Sequence, residues 1–158
     1  RRGECTCTNI QCNIQAEQGS TSRLQRGSTV IYVDLVTALA LLQYLGFAMA
    51  VGRARGKYGV PAPAVTGQPD FERYLRVQQN TLECLIIVVP SLWLFARYVS
   101  DPWAAGLGVV YLIGRMMYFV GYTRAPAKRA AGYGVTALAM IALLVGALVG
   151  VVMQLLRG

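Results

Sequence analysis

The chain has 158 residues, 55% of them hydrophobic, with a formal charge of +8 and a mean hydropathy of +0.45. So many apolar residues in long runs argue against a soluble domain and for a small polytopic membrane protein. There is no histidine, which excludes a histidine general base and a histidine metal ligand.

Residues 1–28 are rich in Gln, Ser, Thr, Asn and Arg. They hold no apolar core long enough for a cleaved signal peptide. The expectation is a polar tail, disordered or non-native, with no function assigned to it. Cys5, Cys7 and Cys12 cluster there, while Cys84 lies in an apolar run. Three clustered cysteines without a histidine are one ligand short of an ordinary structural zinc site, so no metal is expected. Disulfides within the tail remain open.

Residues 29–158 read as one all-α membrane domain, an integral four-helix bundle. The first span runs from Val30 to Gly52, interrupted by Asp34 and Gln43. It closes with Arg53, Arg55 and Lys57, and a loop with Pro61, Pro63 and Pro69 follows. The second span covers Phe71 to Val99, with Pro90 inside it as a candidate kink. Ser100, Asp101 and Pro102 form a tight turn. The third span covers Trp103 to Tyr122, and residues 123–132 read as a basic loop. The fourth runs from Tyr133 to Leu156, where Gly134, Gly146 and Gly150 suggest close helix contact.

Basic residues flank these spans. They form no soluble stripe with interleaved aromatics, so they indicate membrane topology and not nucleic acid. The segment 53–76 carries Arg53, Arg55, Lys57, Arg73 and Arg76, and the segment 123–132 carries Arg124, Lys128 and Arg129. The positive-inside rule therefore puts both segments in the cytosol and both termini across the membrane.

The functional signal is polar residues at membrane depth. Arg76, Asn80 and Glu83 fall on one narrow helical stripe at about 100° per residue. Arg115, Tyr118 and Tyr122 share one face of the third span, with Tyr111 at its upper end. Gln78 points away from the first stripe. An up-down bundle gathers these groups with Arg55 and Arg129 at one membrane side. Such a pocket is cationic with one embedded carboxylate. It suits a small ligand bearing several carboxylates and an ammonium group. The simpler reading has Arg76 and Glu83 neutralising each other and the tyrosines forming an interfacial belt.

PAVTGQPDFERYLRVQQNTLE and GVVYLIGRMMYFVGYTRAPAKR resemble the signature regions of the MAPEG family, membrane-associated proteins in eicosanoid and glutathione metabolism. The resemblance runs from about residue 30 to the C-terminus. Through ARGKYGVPAPAVTG it is nearest the branch of microsomal glutathione transferase type two and the cysteinyl-leukotriene-forming synthase. It implies a homotrimer in the endoplasmic reticulum or bacterial inner membrane, with glutathione as co-substrate bound between subunits. Arg76, Asn80, Glu83, Arg115, Tyr118 and Tyr122 would hold glutathione from one subunit, and Arg55 and Gln78 from the next. Arg129 would stabilise the thiolate, which attacks a lipophilic electrophile arriving from membrane lipid. Reduction of lipid hydroperoxides is a further implied activity.

Two positions depart from the family pattern. Gly56 stands where the leukotriene synthase has a second catalytic arginine, which argues against leukotriene production. Cys84 replaces a wall tyrosine. It loosens the pocket or simply packs, and a catalytic thiol is a further reading, set against the usual inertness of a buried thiol. The competing function is a non-catalytic lipid-binding scaffold, like the lipoxygenase-activating branch. A small transporter is a third reading, opposed by the gathering of polar residues at one side.

Overall fold

The structure is a computed structural model describing residues 9–125 and 129–158, with side chains described from Ile31 onward except at 126–128. Four helices account for nearly all of it: α1 (Asn9–Tyr58), α2 (Pro69–Tyr98), α3 (Asp101–Arg124) and α4 (Arg129–Arg157). All four contain stretches long and apolar enough to cross a membrane, Ile31–Tyr58 in the case of α1. Helical backbone begins at Asn9, ahead of the expected first span. The expectations for Cys5, Cys7, the side chain of Cys12 and Lys128 lie outside the described residues.

The helices outlast the spans read from hydropathy. Arg53, Arg55 and Lys57 belong to the last turns of α1, not to a loop. The expected loop 123–132 is shorter: α3 continues to Arg124 and α4 already begins at Arg129. Ala130 and Ala131 favour helix, so Arg129 sits on the first turn of α4. Pro90 does not end α2, which runs on to Tyr98.

The α1–α2 connection is built by its end residues. Gly59 takes a left-handed φ of 66°, and the Val60 amide donates to the Arg55 carbonyl at 3.2 Å. This is a Schellman ending, which glycine adopts without strain. It turns Val60 back to pack with Val51, Ala54 and Phe71. Pro69 then opens α2 in the first helical turn, where no amide hydrogen is needed.

Helices α2 and α3 form the centre. Helix α1 packs on both, α4 packs on both, and α1 and α4 do not meet among the described residues. The core is a narrow seam that includes Val36, Leu85, Leu92, Tyr111 and Leu143. The outer faces are strongly apolar: Ile86, Trp103 and Leu138 are each more than two-thirds exposed. Water would penalise that surface heavily, whereas lipid or neighbouring apolar helices would not.

Glycine sets the helix spacing, at two of the three expected positions and at others. A Cβ on Gly132 would strike the Tyr118 backbone, and one on Gly114 would sit 2.8 Å from the Thr136 amide. Gly134, read as a contact glycine, faces open space. Gly146 and Gly150 do meet neighbours, the Phe95 ring and the Val99–Tyr98 turn of α2. Residues two apart on a helix point about 200° apart, which is why Gly132 packs and Gly134 does not.

Candidate functional site

At the centre lies a buried guanidinium. Arg115, on α3, has no measurable exposure. Its Nη1 donates to Asn80 Oδ1 at 2.9 Å. Its Nη2 donates to the Val77 carbonyl at 3.3 Å and to the Thr81 hydroxyl. Thr81 passes the chain on, donating to the Val77 carbonyl at 2.6 Å. Cys84 Sγ lies 4.0 Å from Nη1.

These acceptors come from one face of α2. Val77, Thr81 and Cys84 repeat at helical spacing and are all buried. Asn80 is half-buried at the edge of that face, and Arg76 and Glu83 are exposed. Asn80 reaches Glu83 through a long contact, Nδ2 to Oε2 at 3.5 Å. Arg76 and Glu83 do not neutralise each other: the ion pair found among the described residues is Asp70 with Arg73.

Arg115 thus holds its charge with neutral partners alone. Its Nε has no hydrogen-bond acceptor, and the nearby Tyr111 hydroxyl is buried and unpartnered too. Burying an ion without a counter-ion is expensive, and such groups in membrane helices are characteristic of functional sites. Part of the cost is offset by Tyr118, whose ring centre lies 4.7 Å beneath the guanidinium carbon.

The cationic line continues into α4. Tyr118 and Tyr122 stack with centroids 5.6 Å apart. The Arg129 guanidinium carbon lies 5.7 Å from the centre of the Tyr122 ring. Arg129 itself is exposed. Tyr118, Arg129, Ala130 and Tyr133 line a cleft of about 330 Å³. Tyr118, Tyr122 and Arg129 therefore join into one continuous surface, with the buried Arg115 packed against Tyr118. Gly132 makes it possible, because it lets the first turns of α4 close onto Tyr118.

Arg55 and Gln78 lie apart from this surface. Arg55 Nη1 donates to the Ala64 carbonyl at 2.7 Å, and the guanidinium covers the Phe71 ring at 4.8 Å. Gln78 Nε2 donates to the Tyr44 hydroxyl at 2.7 Å. Both belong to the α1–α2 side of the bundle. Gly56, between Arg55 and Lys57, is exposed, and a Cβ there would touch nothing within 4 Å.

Sequence reasoning missed Thr81 and Gly132. Thr81 was legible, since it follows Val77 by one helical turn on the apolar face. Gly132 was hidden inside what read as loop.

The sequence pattern of the MAPEG family matches residues 33–149. The chain belongs to the MAPEG family. It is 50% identical over 126 residues to an uncharacterized protein of Synechocystis sp., covering 80% of this chain and 92% of that one. It is 44% identical over 114 residues to human microsomal glutathione S-transferase 2, covering 72% of this chain and 77% of the human protein. With the guinea pig (Cavia porcellus) leukotriene C4 synthase it shares 37% identity over 127 residues, 80% of this chain and 85% of the synthase. Family membership together with four apolar helices makes it an integral multi-pass membrane protein. Within this MAPEG chain the match takes in the whole α2–α3 polar network and the first turns of α4.

Proposed function

We propose that the protein is a membrane-embedded glutathione S-transferase. It binds glutathione between subunits of a homotrimer, stabilises the thiolate with Arg129 and conjugates it to lipophilic electrophiles. The observation that carries this reading is the buried Arg115 guanidinium, charged, unpaired and beside a cleft that Arg129 lines. The names of the microsomal glutathione S-transferase 2 relatives support it.

The ligand's groups complement the site. Glutathione carries two carboxylates, one ammonium and one thiol. Arg115 and Arg76 receive carboxylate charge, and Glu83, exposed on the same stripe, receives the ammonium. Asn80 both donates and accepts. Tyr118 and Tyr122 supply the aromatic wall. Arg55 and Gln78 face away from their own Arg115, an arrangement that suits them to a neighbour's glutathione.

The chemistry needs a thiolate. A free thiol has a pKa of about 8.5, so only a small fraction is anionic at neutral pH. A guanidinium beside the sulfur in a poorly hydrated cleft favours the anion. Arg129 also belongs to the first turn of α4, where the helix dipole acts in the same sense. This replaces a general base in a chain without histidine. The thiolate attacks the electrophilic carbon, a C–S bond forms, and the leaving group departs with its electron pair.

We propose in addition that the site reduces lipid hydroperoxides. Two glutathiones supply the electrons, yielding an alcohol, water and glutathione disulfide. Leukotriene production is not part of the proposal, because Gly56 offers no side chain for an acid step. The basic ends carrying Arg55 and Arg129 face the cytosol in this reading, where glutathione is delivered from water.

Calorimetric titration of the detergent-purified protein with glutathione, coupled to conjugation of a generic aryl halide, tests the proposal. Saturable binding with turnover supports it. Binding of fatty-acid-like lipids without any glutathione affinity would favour the scaffold reading instead.

A further inference from the structure

We propose that the opposite end of the bundle carries a phospholipid site matched to a phosphatidylethanolamine headgroup. A groove of about 700 Å³ opens there, lined by Val33 of α1, Trp93, Leu94 and Arg97 of α2, and Ser100 and Asp101 at the turn into α3. It lies at the far ends of α2 and α3 from Arg129, and none of its lining residues belongs to the glutathione site. The inference rests only on the chain's place in a membrane, not on its enzymatic reading.

Its composition divides into a wall and a head. Trp93 and Leu94 offer apolar surface to an acyl chain, over a floor closed by the buried Val33. Trp93, Tyr98 and Trp103 are all exposed near this end, with Trp103 at 72%. Exposed tryptophan and tyrosine characterise the level of lipid headgroups. Arg97 and Asp101 therefore stand where a headgroup would lie.

The two charges are the deciding feature. Arg97 lies on the last turn of α2 and Asp101 on the first turn of α3. The Arg97 guanidinium carbon lies 5.6 Å from the centre of its neighbour Tyr98's ring, not against a carboxylate. Neither Arg97 nor Asp101 forms an ion pair among the described residues. A cation and an anion on one groove, each without its counterpart, complement a zwitterion. A phosphate takes the guanidinium through paired N–H donors. A primary ammonium donates to the Asp101 carboxylate and the Ser100 hydroxyl.

Other common headgroups meet only part of this. Phosphatidylcholine has a quaternary ammonium with no N–H to donate. Phosphatidylglycerol has no cation for Asp101. Helix dipoles alone would account for a basic residue at the end of α2 and an acid at the start of α3. That simpler role would leave lipid choice indifferent to either residue.

Native mass spectrometry of the full chain, released from detergent after titration with each of the three phospholipids at matched acyl chains, separates these cases. The wild type should retain phosphatidylethanolamine at least roughly fivefold over the other two, as expected for one added charge-assisted contact. Arg97→Gln should weaken retention of all three lipids. Arg97→Lys should keep the preference. Asp101→Asn should abolish the preference over phosphatidylglycerol while phosphate binding persists. Equal retention of all three lipids by the wild type would overturn the proposal. So would strongest retention of phosphatidylglycerol, undiminished lipid retention in Arg97→Gln, or unchanged selectivity in Asp101→Asn.

Discussion

Arg115 reaches across from α3 to donate to Asn80 on α2 at 2.9 Å, yet no carboxylate pairs with it among the described residues. Under the proposed function, this fully buried guanidinium with its unpartnered Nε takes up an anion. In this account the anion is a carboxylate of glutathione.

Replacing that charge should separate folding from binding. Arg115→Met keeps much of the volume and removes the buried ion. Stability should stay within about 2 kcal/mol of the wild type, since apolar replacement of buried charges is often tolerated. Glutathione affinity should fall at least about tenfold, or 1.4 kcal/mol. Thermal melts with and without glutathione check both points: the ligand should raise the wild-type Tm and raise the variant's by clearly less.

Gly132→Ala tests how α4 is held against α3. The added methyl would strike the Tyr118 backbone, so the first turn of α4 must move. A stability loss of about 1–3 kcal/mol is expected for such overpacking. Arg129 lies one helical turn before Gly132, so turnover should fall more than glutathione affinity. Steady-state kinetics alongside calorimetry would reveal that split. Equal losses in both would show that Arg129 and the binding residues move together.

Gly56→Ala should be harmless or helpful. The position is helical, exposed and open around the missing Cβ. Alanine should raise stability by about 0.5–1 kcal/mol through helix propensity. Conjugation should persist, read by initial rates at saturating glutathione. A large loss would mean that the backbone itself is used there.

Cys84→Ser asks whether the thiol takes part. Its sulfur touches Arg115 Nη1 only at 4.0 Å and packs in the apolar seam. Conjugation should be retained within about threefold, because a buried thiol in apolar surroundings is ordinarily inert. Loss of turnover with intact glutathione binding would instead make Cys84 a reactive group.

The four helices were legible because long apolar runs dominate the sequence. Their ends were less so. Basic residues lower hydropathy without ending a helix, so Arg53 to Lys57 and Arg129 to Gly132 read as loop and fold as helix. The stripes of Arg76, Asn80 and Glu83 and of Arg115, Tyr118 and Tyr122 followed from helical periodicity alone. Periodicity says nothing about whether a charge finds a partner. The isolation of Arg115, its bond to Thr81 and the approach of Gly132 to Tyr118 are properties of two helices together. The same holds for Arg55 and Gln78, whose partners Ala64 and Tyr44 are fixed by the α1–α2 packing.

The central claim is that Arg129 stabilises a glutathione thiolate. Ultraviolet difference absorption during glutathione titration measures that anion directly, and a pH series locates its ionisation. The wild type should develop thiolate absorption at neutral pH, with an inflection at least about one unit below the free-thiol value near 8.5. Arg129→Ala should bind glutathione but move the inflection back toward that value and lose conjugation. An equal thiolate signal in wild type and Arg129→Ala, or none in either despite saturating glutathione, would contradict the account.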